Sequence, residues 1–454
     1  MSGRGGISWA LVAVLLIMSV GPAVPRAEAA APDADEEAGE LLRGAQRVQR
    51  ATRDTLRVPG GGNDCDGARF IAYKRSNREP EIVDQWYVVS QLWADAALLS
   101  ADPSRVKSSK NRQNSRGQRI PAWDEDDARC HVDKGFVFLD RLWDQDEGGY
   151  YPRSNANGSK VTRQSQYADD NALAGLALIA AADAADDDFS RDYYIYAAIL
   201  EAEYLTESGL WDDTFGGGFW WSTGKGDTDE GKPAQSNALA ALFFARLYAV
   251  TGNEAYRDQA FATISWLDGR LFDRSRNLYR WSARYARPDE RSGNEIRANR
   301  YFNYDQGIAI EAQLLIGTMD RNPERAARAR AIGDAVHTAF WNRERGGYNL
   351  EAGVEQVYTS YAAWTSFGHL ALHAADGQVK WLQMARSNAA ALAASTGESD
   401  GGYALRHYRC LDTSAAACVG TSRGRTVVDR TRDTAAQAWA QHLQTALARR
   451  VVPR

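Results

Sequence analysis

Two neighbouring carboxylates, Asp169 and Asp170, follow Tyr167-Ala168 and precede the small, apolar run Asn171-Ala172-Leu173-Ala174-Gly175-Leu176. A pair of acids is the minimal equipment for cleaving an acetal: one attacks carbon or activates water, and the other protonates the departing oxygen. On a helix, adjacent side chains leave the axis about 100° apart, so the two carboxyls approach one bond from neighbouring directions. Retaining glycosidases hold theirs about 5 to 5.5 Å apart. Repulsion and partial desolvation would split the two pKa values, leaving one group ionised and one protonated. The same residues also fit a plain helix cap with a neighbouring charge, and spacing alone leaves both readings standing.

A second group of candidates follows in the chain. Gly216-Gly217-Gly218-Phe219-Trp220-Trp221 is followed by Lys232-Pro233-Ala234-Gln235-Ser236-Asn237. Glycines let backbone approach closely, and indole faces stack on the apolar faces of pyranose rings, although a Trp pair also serves a core. Asn237 opens an Ala-rich segment, as Tyr304-Asp305-Gln306 open another, so polar groups recur at matching places. Of two further acidic clusters, Asp124 to Asp127 reads as helix caps and dipole partners before an outer helix, and Asp186 to Asp188 as a solvated loop after an inner one. Asp227 to Glu230 lacks the alternation of a calcium loop, and Asp429 to Asp433 opens a helix near the same rim. His131 and His337 fall on outer helices, His442 lies beyond an opening turn, and His369 and His373, at i and i+4, lack an H-E-x-x-H setting. No metal ligand set and no cofactor are expected.

The elements that must position these groups repeat. An amphipathic helix, a Gly-Gly-aromatic turn or variant, a polar loop and an Ala-rich helix recur with turns at Gly148-Gly149-Tyr150, Gly217-Gly218-Phe219, Asn277-Leu278-Tyr279, Gly346-Gly347-Tyr348 and Gly401-Gly402-Tyr403, roughly 55 to 70 residues apart. Segments such as Phe136 to Trp143 and Phe261 to Leu267 carry one apolar stripe and suit an outer layer. Ala172 to Ala182, Ala238 to Tyr248, Ile308 to Ile316, Tyr361 to Leu372 and Ala435 to Leu447 are apolar nearly all round and must be buried. Val83 to Leu99 is a sixth inner helix, and Glu37 to Leu56 is read as its outer partner. The expectation is an all-α, (α/α)6 toroid of six outer/inner hairpins, one domain over 31–454, with inner-helix N-termini around a funnel.

Residues 1–30 read as a cleavable secretory signal: Arg4, the apolar Ile7 to Val20, and Ala27-Glu28-Ala29. The apolar stretch is shorter than the roughly 18 residues a membrane span needs. Removing the segment moves the formal charge from -5 to -6, which argues against nucleic acid as a partner. Asp33 to Glu40 reads as a solvated lead-in, and Arg105 to Arg119 as a basic surface loop. Cys65, Cys130, Cys410 and Cys418 lack C-x-x-C spacing and suit an oxidising compartment. Cys410 and Cys418 could staple one loop, with free thiols or a Cys65–Cys130 pair alone as alternatives. The expectation is a secreted protein without stable membrane insertion.

The ordered series resembles glycoside hydrolase family 76, the endo-acting α-1,6-mannanases. The resemblance rests on Tyr167-Ala168-Asp169-Asp170 with Leu173 to Leu178, Trp211-Asp212-Asp213, the Gly-Gly-Gly-Phe-Trp-Trp run, Lys232 to Asn237, Ala245 to Tyr248 with Thr251-Gly252, and Tyr304 to Gly307. It spans roughly residues 84 to 320. It implies a retaining mechanism with Asp169 as nucleophile and Asp170 as general acid/base. Tyr167, Trp220, Trp221, Lys232, Asn237, Tyr304, Asp305 and Gln306 would contact a mannan-type polysaccharide. Asp305 stands where the family usually has Asn, and Ala286 to Arg300 is long and charged. A transglycosidase, a non-catalytic glycan-binding protein and a sugar epimerase of the same architecture are the alternatives.

Overall fold

A computed structural model of the chain describes residues 32–451 except 61–64, 79–82, 102–123, 156, 160, 163, 226–230, 288–289, 413, 415–417 and 419–420. The segment 1–30, the stretch Arg105 to Arg119 and the loop Asp227 to Glu230 lie outside the described residues. Twelve helices among the described residues alternate between two layers. The outer ones are α1 (Pro32–Leu56), α3 (Glu125–Asp140), α5 (Asp188–Glu207), α7 (Glu254–Arg270), α9 (Pro323–Phe340) and α11 (Val379–Ser395). The inner ones are α2 (Gln85–Leu99), α4 (Ala168–Ala184), α6 (Ala234–Thr251), α8 (Asn303–Met319), α10 (Thr359–Asp376) and α12 (Thr434–Val451).

Burial separates the layers as composition requires. α7 buries only Ala260, Thr263, Ile264, Trp266 and Leu267, one stripe, whereas α6 is buried almost continuously from Ala234 to Ala245. Each inner helix packs on the inner helices before and after it, and α12 returns to α2, so the ring closes. The (α/α)6 toroid is therefore as expected.

The pairing within it differs. Each of α3, α5, α7, α9 and α11 lies against the inner helix that precedes it, and α1 packs chiefly on α12, with little contact to α2. The cause is chain length: α4 ends at Ala184 and α5 starts at Asp188, a link too short for anything but antiparallel neighbours. α1 has no such predecessor and fills the slot left by the last inner helix. At that seam Asp95, 2% exposed, accepts hydrogen bonds from Gln49 of α1, Gln91 of α2 and Gln441 of α12 at 2.7, 2.8 and 2.9 Å. Docking on α12 also corrects the reading of Asp33 to Glu40, which belongs to α1: Ala38 is buried, and Glu37 pairs with Arg386 of α11 at 2.7 Å. Asp124 caps α3 as anticipated, whereas Asp187, read as part of a solvated loop, caps α5. Disulfides join Cys65 to Cys130 and Cys410 to Cys418.

One hydrogen bond recurs at all six inner helices. The N–H of each first residue donates to a carbonyl in the segment just after the turn of the next repeat: Gln85 to Pro152, Ala168 to Trp221, Ala234 to Trp281, Asn303 to Leu350, Thr359 to Leu405, and Thr434 to Arg75, at 2.7 to 3.2 Å. Helix starts leave N–H groups without partners, and side chains commonly supply them. Here α2, α4, α6, α8 and α10 have no side-chain cap bond. The neighbouring repeat is the cap. The last bond, from α12 back to Arg75, closes the circle.

Inside the ring, rings of Trp86, Trp364, Trp439 and Trp93 follow one another at centroid separations of 5.6, 4.8 and 5.5 Å. They divide the bore. Behind them, between the C-terminal halves of the inner helices, lies a cavity of about 310 Å³ bordered by Asp183, Arg246, Glu311 and His442. The inner-helix N-termini lie on the other side of these indoles.

Glu201 is fully buried in α5, with no hydrogen-bond partner for either carboxyl oxygen among the described residues. Burial alone pushes its carboxyl well above the usual range. An acid whose pKa is raised by folding costs no stability below its unfolded pKa and loses stability as pH climbs toward the folded value. Glu201→Gln keeps the shape without ionising. Thermal melts should show little difference from the parent near pH ~4 and an advantage for the variant that grows as the pH rises from there. A pH-independent difference contradicts this account of Glu201.

Candidate active site

The start of α4 is built by the next repeat. Tyr167, extended at φ -118 and ψ 137, bridges to Ser222, and the Ala168 N–H donates to the Trp221 carbonyl at 2.8 Å. These two contacts bring Trp221 onto the opening turn of α4. Its indole Nε1 donates to Asp169 Oδ2 at 3.1 Å, and its ring lies 4.7 Å from that of Tyr167. Gly218 makes the turn before it possible: φ is +85°, and an added Cβ would stand 2.4 Å from the Trp266 indole of α7. Gly149 meets the Tyr204 ring of α5 in the same way, at 2.6 Å.

Asp169 is 7% exposed and Asp170 is half-buried. Burial raises Asp169 to about 6, held down in part by the hydrogen bond from Trp221 and by the Asp170 N–H, which reaches Oδ1 at 3.2 Å. Burial, and then the charge of Asp169, raise Asp170 well above the usual carboxylate range. The indole bond favours the charged form of Asp169. Near neutral pH the pair therefore holds one carboxylate and one carboxylic acid, the division that acetal cleavage needs.

The other residues named from the sequence divide in two. Tyr167 and Trp221 sit beside the acids. Tyr304 is half-buried on the same mouth, its ring 4.6 Å from Tyr361 of α10. Lys232, Asn237, Asp305 and Gln306 are fully buried, and Trp220 is 2% exposed, so the expected sugar contacts are corrected to internal ones. Lys232 Nζ donates to the Asp212 carboxylate at 2.7 Å and to the carbonyls of Asp212, Thr214 and Gly217 at 2.8 to 2.9 Å. Burial lowers its pKa to about 8 against the pull of Asp212. Burial also opposes charge on Asp212, but hydrogen bonds from Lys232 and the Trp220 indole outweigh it and hold the carboxyl well below its ordinary value. Together these bonds fix the loop that carries the Trp pair.

Asn237 and Gln306 share a different task. The Phe219 N–H donates to Asn237 Oδ1 at 2.7 Å, and Asn237 Nδ2 returns to the Phe219 carbonyl at 3.0 Å. Gln306 grips Tyr279 at 2.8 and 3.0 Å, and Gln437 grips Tyr403 at 2.8 and 2.6 Å. Asn171 accepts from the Tyr150 N–H at 2.7 Å. Each amide is the fourth residue of its inner helix and clamps the aromatic of its own repeat's turn. The recurrence of polar groups at helix starts is thus largely a clamp. In α10 the fourth residue is Ala362, which has no such side chain.

His369 lies in the core, its ring stacked on Trp381 at 5.9 Å, and His373 Nδ1 lies 3.1 Å from the Gln378 carbonyl. Two residues of this mouth escaped the sequence reading. Tyr361 is the third residue of α10, and Asp84 immediately precedes α2, the place that Tyr167 holds before α4. Extending the repeat to α2 and α10 would have located both.

An (α/α)6 ring with paired, unequal carboxyls at the start of one inner helix has the architecture and the acid pair that acetal cleavage needs. The model of glycosyl hydrolase family 76 matches residues 142–408, and the chain belongs to that family. No curated protein matches the sequence. Among solved structures, the chain is similar to a family 76 α-mannanase of Bacteroides thetaiotaomicron, with 16% identity over 92% of this chain and 99% of that one and a TM-score of 0.64. It is similar also to the family 76 α-1,6-mannanase of Salegentibacter sp., with 18% identity over 90% and 99% and a TM-score of 0.61. A sugar epimerase from a ruminal bacterium shares the fold, with 12% identity over 91% and 100% and a TM-score of 0.61. No helix among the described residues is long and apolar enough to cross a membrane.

Removing the Asn237 amide strands the buried N–H and carbonyl of Phe219. Asn237→Ala should lose about 2 to 4 kcal/mol of stability in chemical denaturation. A sugar contact would instead leave stability unchanged and raise KM.

Proposed function

We propose that the protein is a secreted glycosidase that cleaves α-1,6-mannosidic bonds within mannan-type polysaccharides, with retention of configuration. The observation that carries the reading is the unequal state of the two neighbouring acids. Asp169 carries the charge near neutral pH and is steadied by the Trp221 indole, as a nucleophile requires. Asp170 keeps its proton, as the donor to a leaving oxygen requires. In the first step Asp169 bonds to the anomeric carbon while the Asp170 proton passes to the departing sugar oxygen. In the second, Asp170 takes a proton from water, which displaces Asp169. Tyr167, Trp221, Tyr304 and Tyr361 offer aromatic faces for sugar rings at the same mouth.

Family membership supports glycosidase activity. The choice of α-1,6-mannan is supported by an inactive variant of the Salegentibacter enzyme, with two consecutive aspartates replaced by Asn, in complex with α-1,6-mannotriose. Secretion is supported by Arg4, the apolar Ile7 to Val20 and Ala27-Glu28-Ala29, and by two disulfides that call for an oxidising compartment. The secreted chain is expected to begin near Ala30 or Ala31.

The test is incubation with α-1,6-mannan, reading product length and anomeric configuration by NMR. The reading expects oligosaccharides whose first-formed anomer is α, and β products or an inert mannan would overturn it. Asp169→Asn and Asp170→Asn should each lose activity, Asp170→Asn on the order of 10² to 10⁴-fold. For the parent, kcat/KM should rise as pH climbs through about 6, where Asp169 ionises, and fall again as Asp170 gives up its proton. A profile flat across the acidic range contradicts the assignment.

A further inference from the structure

We propose that Asp84 and Arg153 form a positioning pair for the proton of Asp170, the anion of the pair holding that proton on the acid and the cation limiting the effect. The inference rests on the reading of Asp170 as the proton donor.

Asp84 ends the strand Val83–Asp84 and faces Arg153 of the strand Arg153–Ser154 directly across an antiparallel register. The Arg153 Nε lies 3.1 Å from Asp84 Oδ1, and the Arg75 Nε lies 3.9 Å from Oδ2. Asp84 holds the N-cap position of α2, yet it makes no side-chain cap bond. The two partners are also unequal in exposure: the Asp84 side chain is 12% exposed and that of Arg153 is 54%. Water screens Arg153, and Arg75 at 41% exposure, more than it screens the anion, so the Asp84 charge outweighs that of Arg153 at Asp170.

The arrangement is fixed to the opening turn of α4. Gln85, next to Asp84, donates from Nε2 to the Asp170 carbonyl at 3.0 Å, and its backbone N–H donates to the Pro152 carbonyl, next to Arg153, at 2.9 Å. One residue thus ties the strand of Asp84, the strand of Arg153 and the turn of Asp170 together. The charged groups that act on Asp170 are Asp169 on α4 itself and Asp84 at the start of α2, which disfavour its ionisation, and Arg153, which favours it. Asp433 at the start of α12, Tyr87 of α2 and Tyr361 of α10 form an adjoining group with Arg75, which reaches Asp84 as well, and Tyr361 also feels the charge of Asp169.

A pair of substitutions tests this through opposite signs. Without the Asp84 anion, Asp170 ionises more readily, so in Asp84→Asn the basic limb of kcat/KM against pH should move down by roughly 0.5 to 1 unit. Without the Arg153 cation the anion acts uncompensated, and in Arg153→Gln the limb should move up, by less because Arg153 is screened. Asp84→Glu should restore the limb toward the parent position. Thermal melts of each variant establish folding, and if Asp84→Asn does not fold, the upward shift in Arg153→Gln carries the test alone.

A purely structural pair would depress the rate at every pH and leave the limb in place. An unmoved limb, or shifts of the same sign, overturns the proposal. Asp170→Asn on the same substrate separates the levels. If it hydrolyses at the parent rate, the reading of Asp170 and this proposal fall together. If it is impaired while the limb stays fixed in the other variants, only the proposal falls.

Discussion

The toroid depends on a backbone hydrogen bond used six times. An inner helix that is apolar on every face has nowhere to end except in contact with protein, and its first N–H groups cannot reach water freely. The chain solves this by handing the first N–H of each inner helix to a carbonyl of the following repeat. No repeat is complete without its neighbour, and the last is completed by Arg75 near the beginning. The same bond that caps a helix therefore sets the angle between consecutive repeats and closes the ring.

That constraint also makes the site. Because the cap comes from the segment just after the next repeat's turn, whatever side chains that segment carries are delivered to the helix start. At α4 the delivered residue is Trp221, and its indole falls on Asp169. The indoles of Trp86, Trp364 and Trp439 pack against one another inside the ring, and Asp169 is itself nearly buried, so a charge there is costly. Burial raises both carboxyls. The indole bond on one, and the first one's charge on the other, then separate them. Asymmetry between two identical side chains thus comes from their neighbours.

Much of this was legible in the sequence. The Ala-rich, stripe-free segments had to be inner helices, and their count and spacing led to the ring. Asp169 and Asp170 stood out because they open such a segment. What could not be read was direction. Asp169, Asn237 and Gln306 all lie in the first turn of an inner helix, but Asp169 is the second residue of its helix and the two amides are the fourth of theirs, about 200° further round. That phase turns the amides away from the funnel and onto the turn behind. Lys232 and Trp220 were misplaced for a related reason: their partner Asp212 lies in a loop whose path depends on positive φ at Gly216, Gly217 and Gly218. The pairing of α1 with α12 is a matter of closure, which no local pattern encodes.

The central claim is that Asp169, and not its neighbour, forms the bond to sugar. A 2-fluoro-substituted mannosyl donor with a good leaving group slows the second step of a retaining enzyme more than the first. Peptide mass spectrometry after such treatment locates any trapped sugar. The account predicts one added fluoromannosyl group per chain, on the peptide containing Asp169 and at that residue, and none in Asp169→Asn. A label on Asp170, or full inactivation with no sugar attached to Asp169, would contradict it.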